Sequence, residues 1–180
     1  MGYRAIRAQP TRERMAYFAL LYGTGIEVSV GLQVRRTDII DKEREIRALG
    51  TKAATRDRVV TVDEWAWETI WAVARTAIGM APIFPRWNRW TVSDWHRDTI
   101  SSLGFAVQYP LMNARHHWGA THARSGTPIH IIQRQLGHSS PQLTLSTYGL
   151  FCPDGTDRAR YSTQHEAYEQ RRVSANGGAR

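Results

Sequence analysis

The sequence predicts a mainly α-helical domain with a small three-stranded antiparallel β-sheet. Three observations predict it. Stretches with apolar residues at helical spacing recur between residues 11 and 148. β-Branched residues gather in one short run, Arg58–Val62 (RVVTV), with two shorter apolar pieces ahead of it. The 180 residues, 42% hydrophobic, are enough for one domain with a sizeable core.

The elements follow in order. Residues 11–22 read as a helix: Met15, Phe18, Ala19 and Tyr22 share a stripe, Thr11 can cap, and Gly23 and Gly25 stop it. Residues 26–34 alternate strictly, with Ile26, Val28, Val30, Leu32 and Val34 on one side, as a strand would. Asp38-Ile39-Ile40, Glu45 to Leu49 and Arg58 to Val62 supply the sheet, and residues 50–57 form a basic hairpin tip between the last two. Asp63 to Ile78 is a helix capped by Asp63, with Trp67, Ile70, Trp71, Ala74 and Ile78 as its apolar stripe. A proline-containing loop leads to a helix over 91–103, closed by Gly104. Helices over 114–124, from Pro128 to Leu136, and from Ser140-Pro141 to Tyr148 complete the ordered part. The polar tail 153–180 is expected to hold a short helix over 166–172 and a disordered end.

Composition narrows the function. Cys152 is the only cysteine, which excludes a disulfide framework and a cysteine-based zinc site. No run of about 18 apolar residues is present, so no membrane span is expected. The first residues lack the apolar core of a signal peptide, so a cytoplasmic location is expected. Twenty-four Lys and Arg against 16 Asp and Glu give a net charge of +8, which favours a polyanionic partner. The basic residues are mostly arginine, suited to bidentate phosphate contacts, and form no lysine-rich amphipathic helix; nucleic acid is therefore favoured over a membrane surface. Arg86, Arg89, His96 and Arg97 give one region a basic face. His116, His117, His122 and His130 cluster, but their spacing does not place two metal ligands one helical turn apart, so no metal is expected.

The chemistry lies between residues 114 and 148. An arginine among histidines (Arg115), a Leu136-Gly137-His138 turn and Tyr148 follow one another there, and Lys52 sits on the hairpin. Breaking a phosphodiester by transesterification needs a nucleophile, charge stabilisation on the non-bridging oxygens and a proton for the leaving oxygen.

This set resembles the signature of the tyrosine recombinases, the phage-integrase family. The resemblance covers nearly the whole chain, from the Gly23-Thr24-Gly25 turn through Lys52 to the phrase GTPIHIIQRQLGHSSPQLTLSTYG. It implies a tyrosine recombinase catalytic-domain fold, that of a DNA breaking–rejoining enzyme, and makes residues 26–34 a helix. It implies that Tyr148 is the nucleophile, forming a 3′-phosphotyrosyl link, and that Lys52 protonates the leaving 5′ oxygen. Arg115 and His138 stabilise the phosphate. No cofactor and no metal are implied. The implied partners are double-stranded DNA and further copies of the chain in a tetramer, with the tail exchanged between subunits. Arg35, Arg36, Arg56, Arg86, Arg89 and Arg97 are the candidate DNA-binding residues.

Two of the expected active-site positions depart from the family pattern. Glu27 stands where an arginine follows the Thr24-Gly25 turn, and Met112 stands where a histidine precedes Arg115; Val30 also replaces an acidic residue. A carboxylate repels a phosphate, and methionine has no useful donor. Arg35 or Arg36 is a candidate replacement for the lost arginine, and His116 or His117 for the lost histidine. The family's N-terminal DNA-gripping domain is expected to be absent, leaving residues 1–152 as the catalytic domain. The expected function is a site-specific recombinase or integrase of a mobile genetic element. The alternatives are an impaired or truncated integrase remnant that only binds DNA, and a type IB topoisomerase-like activity.

Overall fold

The computed structural model describes residues 2–50, 57–105 and 110–153. Among them, helices α1 (Gly2–Arg7), α2 (Arg12–Thr24) and α3 (Val28–Gly31) precede strands β1 (Ile39–Ile40), β2 (Glu45–Ala48) and β3 (Arg58–Thr61). Helices α4 (Glu64–Ala74), α5 (Arg89–Ser102), α6 (Asn113–Arg124), α7 (Ile129–Leu136) and α8 (Pro141–Tyr148) follow. The mainly α architecture with a three-stranded antiparallel sheet is as the sequence predicts.

Helix α2 is the axis of the molecule. Thr11 caps it by accepting the Arg14 N–H at 3.3 Å. After its polar first turn, every residue from Ala16 to Thr24 is buried, because α1, α4 and α6 all pack on it. Gly23 does not stop it. The helix runs on to a left-handed end at Gly25, and Gly23 instead lies against Ala66 of α4.

The alternating segment 26–34 is not a strand. Only Val28–Gly31 within it is helical, as the single turn α3 packed on α2, and Ile26, Val30 and Val34 are buried at a spacing of four. Tyr17 of α2 fixes it by donating its hydroxyl to the Val28 carbonyl at 3.0 Å.

The sheet runs in the order β1-β2-β3, with Ile39 opposite Ile46 and Ile46 opposite Val60. Ile39, Ile46, Ala48 and Val60 face inward.

Helix α4 is shorter than its sequence stripe. It ends at Ala74, and Ile78, expected in the core, stands 93% exposed beyond the part that faces α2. Asp63 precedes α4 without capping it. Its Oδ1 instead accepts from Trp118 Nε1 at 3.2 Å and meets His122 Nε2 at 3.1 Å, tying the start of α4 to α6. Helix α5 begins before Thr91, because the Asn88 carboxamide accepts the N–H groups of Trp90 and Thr91. His96 is not part of a basic face: it is buried, with Nε2 2.9 Å from the Tyr22 hydroxyl and its ring stacked on Phe18.

Helices α6, α7 and α8 enclose a second, smaller core of Trp118, Ala123, Ile132, Leu136 and Tyr148. Among the described residues, no helix is long and apolar enough to cross a membrane.

Candidate active site

Tyr148 is the last residue of α8 and only 1% exposed. Its ring lies on α6, over Gly119, where a Cβ would come within 2.5 Å of Cζ. His138 stacks parallel to it at 6.1 Å between ring centres. The phenol oxygen is 3.1 Å from His116 Nδ1. Burial raises the Tyr148 pKa, and the positive charge of Arg115 offsets only part of the rise. The phenol is therefore protonated at neutral pH and needs an acceptor before it can attack. His116 is exposed and joins the buried hydroxyl to solvent.

Arg115 lies one turn before Gly119 on α6. Its Nη1 donates to the Gly25 carbonyl at 2.9 Å, and its Nη2 to the Leu136 carbonyl. These are the C-terminal ends of α2 and α7, where helix dipoles favour a cation. A second guanidinium stands beside it. Arg58 of β3 donates Nε to the Gln135 carbonyl at 2.8 Å and Nη2 to Glu27 Oε2 at 3.0 Å. Glu27 Oε1 faces Arg115 Nη1 at 3.4 Å. Burial alone would raise the Glu27 pKa; the charges of Arg115 and Arg58 and the hydrogen bond from Arg58 outweigh it and hold the carboxyl below its ordinary value. Glu27 is thus an ionised bridge between two arginines.

The Leu136-Gly137-His138 turn closes this group. Gly137 has φ +65°, and a Cβ on it would meet the Arg58 guanidinium at 2.8 Å, so glycine serves both the left-handed helix end and the close approach of Arg58. His138 Nδ1 is 2.9 Å from Thr144 Oγ1. Burial first, then the charge of Arg115, pushes the His138 pKa down to about 4, leaving a neutral imidazole at pH 7.

A cavity of about 670 Å³ opens in front of Glu27, Arg58 and Arg115, with Arg89, Ser93 and Arg97 of α5 on another wall. Two of the six candidate DNA-binding arginines, Arg89 and Arg97, therefore face the same space as Arg58 and Arg115, although Arg97 also pairs with Asp94 at 2.9 Å. Arg86 is exposed on the loop before α5. Lys52 and Arg56 lie outside the described residues; Gly50 and Arg58, on either side of residues 51–56, both line the cavity.

Neither Arg35 nor Arg36 lines this cavity. The Arg35 backbone bridges to Pro82, and the Arg36 guanidinium covers the Trp71 ring at 4.5 Å. The second guanidinium beside Glu27, with that of Arg115, is that of Arg58, which sequence alone marks only as a strand residue. Period-two alternation was the available signal, since it puts Arg58 on the buried face of Val60. Gln135 was also missed: its Nε2 donates to the carbonyls of Thr24 (3.0 Å) and Thr61 (2.7 Å), joining α2 and β3 to α7.

Met112 precedes α6, 63% exposed on the cavity wall. Of its candidate replacements, His116 meets Tyr148, whereas His117 turns away onto the Tyr22 ring at 5.6 Å. His122 is committed to Asp63 and His130 is exposed. Among the described residues, no three His, Cys, Asp or Glu side chains converge as a metal site.

The same arrangement of helices and sheet occurs in solved structures. XerA recombinase matches with a TM-score of 0.70 at 21% identity, over 91% of this chain and 60% of that one. The catalytic domain of bacteriophage HP1 integrase matches with a TM-score of 0.67 at 16% identity, over 89% of each chain. The chain has the tyrosine recombinase catalytic-domain fold. XerH site-specific recombinase bound to its difH substrate shares this recombinase fold, with a TM-score of 0.68 at 14% identity over 88% of this chain and 50% of that one. The chain thus spans about half to three-fifths of the Xer recombinases it matches. No family model matches the sequence, and no curated protein matches it significantly.

Proposed function

We propose that this chain is the catalytic domain of a site-specific DNA recombinase or integrase that cleaves and rejoins strands through Tyr148. The observation that carries this reading is the convergence of a buried tyrosine, an exposed histidine on its hydroxyl, a neutral histidine on its ring and an anchored arginine beside them. In the proposed step, Tyr148 Oη attacks the scissile phosphorus while its proton passes to His116. The bond to the 5′ oxygen breaks, and Lys52 protonates that oxygen. The strand is left on Tyr148 as a 3′-phosphotyrosyl ester. The ester conserves the energy of the phosphodiester, so the reverse attack by a 5′ hydroxyl rejoins a strand without a high-energy cofactor. Arg115 and His138 stabilise charge on the non-bridging oxygens, and the His138 ring also stacks on that of the nucleophile.

The proposed partner is double-stranded DNA, met by Arg89 and Arg97 across the cavity, with Arg56, Arg86, Arg35 and Arg36 as outer phosphate contacts. The enzyme works in the cytoplasm as a tetramer on paired sites, with the tail from 153 to 180 reaching between subunits. XerH is described bound to its difH substrate, and Tn1549 transposon integrase in complex with circular intermediate DNA, which supports a mobile-element setting.

A second reading has its own support. Glu27 occupies the arginines and Met112 offers no donor, as expected of an impaired relative that only binds DNA. One assay separates the two. A duplex nicked beside the cleavage position traps a covalent protein–DNA adduct if the chain is an enzyme, and Tyr148→Phe abolishes it. Salt-sensitive binding without any adduct supports the second reading.

A further inference from the structure

We propose that Arg58 and Arg115 together form one phosphate clamp, and that the Glu27 carboxylate occupies the seat of the DNA phosphodiester until the phosphate displaces it. The inference deepens the strand-transfer reading and rests on it for the identity of the phosphate, though not for the clamp itself.

The two guanidiniums are anchored independently of Glu27. Arg58 is fixed to the Gln135 carbonyl, and Arg115 to the carbonyls of Gly25 and Leu136. They therefore stay in place when the carboxylate leaves. The layering supports exchange. The arginine side chains are 8% and 14% exposed, while Glu27, 29% exposed, is the outermost of the three, and all three line the cavity.

The geometry is that of an occupied anion site. One carboxylate oxygen takes Arg58 and the other takes Arg115, each facing its own guanidinium. The two non-bridging oxygens of a phosphodiester present the same pair of acceptors to two planar forks. Charge is conserved as well, because one negative group replaces another and neither arginine is left without a counter-charge. Glu27 heads the one-turn helix α3 and makes no side-chain cap bond, so its side chain can swing toward the cavity without breaking the helix start.

The clamp thus recovers from β3 the guanidinium that the Thr24-Gly25 turn no longer provides. It does so with a built-in competitor, which sets a threshold that only a well-placed phosphate exceeds.

The test follows arginine Nε–H resonances by NMR during titration with inorganic phosphate. Glu27→Gln removes the competing charge and should tighten phosphate binding by about tenfold or more, the size of a charge-assisted hydrogen bond. Both the Arg58 and the Arg115 signals should shift. Arg58→Lys in the Glu27→Gln background should remove most of the gain. If that double variant does not fold, the Glu27→Gln titration read at Arg58 decides alone. Phosphate binding no tighter than in the parent, or a shift at Arg115 with none at Arg58, overturns the proposal. A chain that yields no DNA adduct yet shifts both arginines loses strand transfer and keeps the clamp. Adduct formation with Arg58 silent does the reverse.

Discussion

The Tyr148 ring lies so close over Gly119 that a methyl group at 119 would sit 2.5 Å from Cζ. Alanine is the better helix former by about 1 kcal/mol, but overpacking a tight contact costs about 1–3 kcal/mol. Overpacking should win, or the ring should leave. Gly119→Ala is expected to bring the Tyr148 pKa, raised by burial, back toward 10, as read by NMR of labelled tyrosine. An unchanged Tyr148 signal would show that α6 yields instead of the ring.

Gln135 joins three elements through one carboxamide, since its Oε1 also accepts the Thr61 N–H at 3.1 Å. Gln135→Met keeps the volume and removes every one of those bonds, leaving the buried Thr24 carbonyl and the part-buried Thr61 backbone groups without the carboxamide. The loss should be about 1–3 kcal/mol. In urea the midpoint should fall while the slope stays constant. Unchanged stability would mean that water replaces the carboxamide.

How much of this was legible in the sequence depends on whether a residue acts locally. Thr11, Pro141 and the RVVTV strand act through neighbours in the chain, and each lies where the pattern puts it. Residues 26–34 misled because their alternation also contains a period of four, and only the partner surface, α2, selects between the two. Ile78 misled for the same reason, as a stripe does not say where its partner ends. In the candidate site, Arg115, His138 and Tyr148 could be grouped because one family motif links them, and they do come together in space. Arg58 belongs to no such motif, and its contacts with Glu27 and Gln135, 31 and 77 residues away, leave no local signal. His96 looked like surface charge because nothing in its own helix reveals the Tyr22 hydroxyl beneath it.

His138 links pH to stability. Its folded pKa is about 4, below the ordinary 6.5, so between these values the unfolded chain binds a proton that the native chain does not. Its contribution is fully present above pH 6.5 and is lost as pH falls from 6.5 toward 4. Thermal melts across that window should show stability falling with acid, and His138→Gln should flatten the dependence. A ring that titrates by NMR near 6.5 in the folded protein would remove the argument.

His116 and His117 are adjacent, yet only His116 reaches the nucleophile, 3.1 Å from the Tyr148 hydroxyl, while His117 rests on Tyr22. If His116 accepts the phenol proton, His116→Ala should slow single-turnover adduct formation on a nicked duplex by about 10²–10⁴, the range for general base catalysis. His117→Ala should stay near the parent rate. Binding of the same duplex should be nearly equal in both, which separates a chemical defect from lost affinity. Added imidazole should restore part of the His116→Ala rate, because the buried hydroxyl keeps its path to solvent through the space the ring vacates. Equal rates for the two variants would show that the contact only positions Tyr148, and that solvent or a DNA oxygen takes the proton.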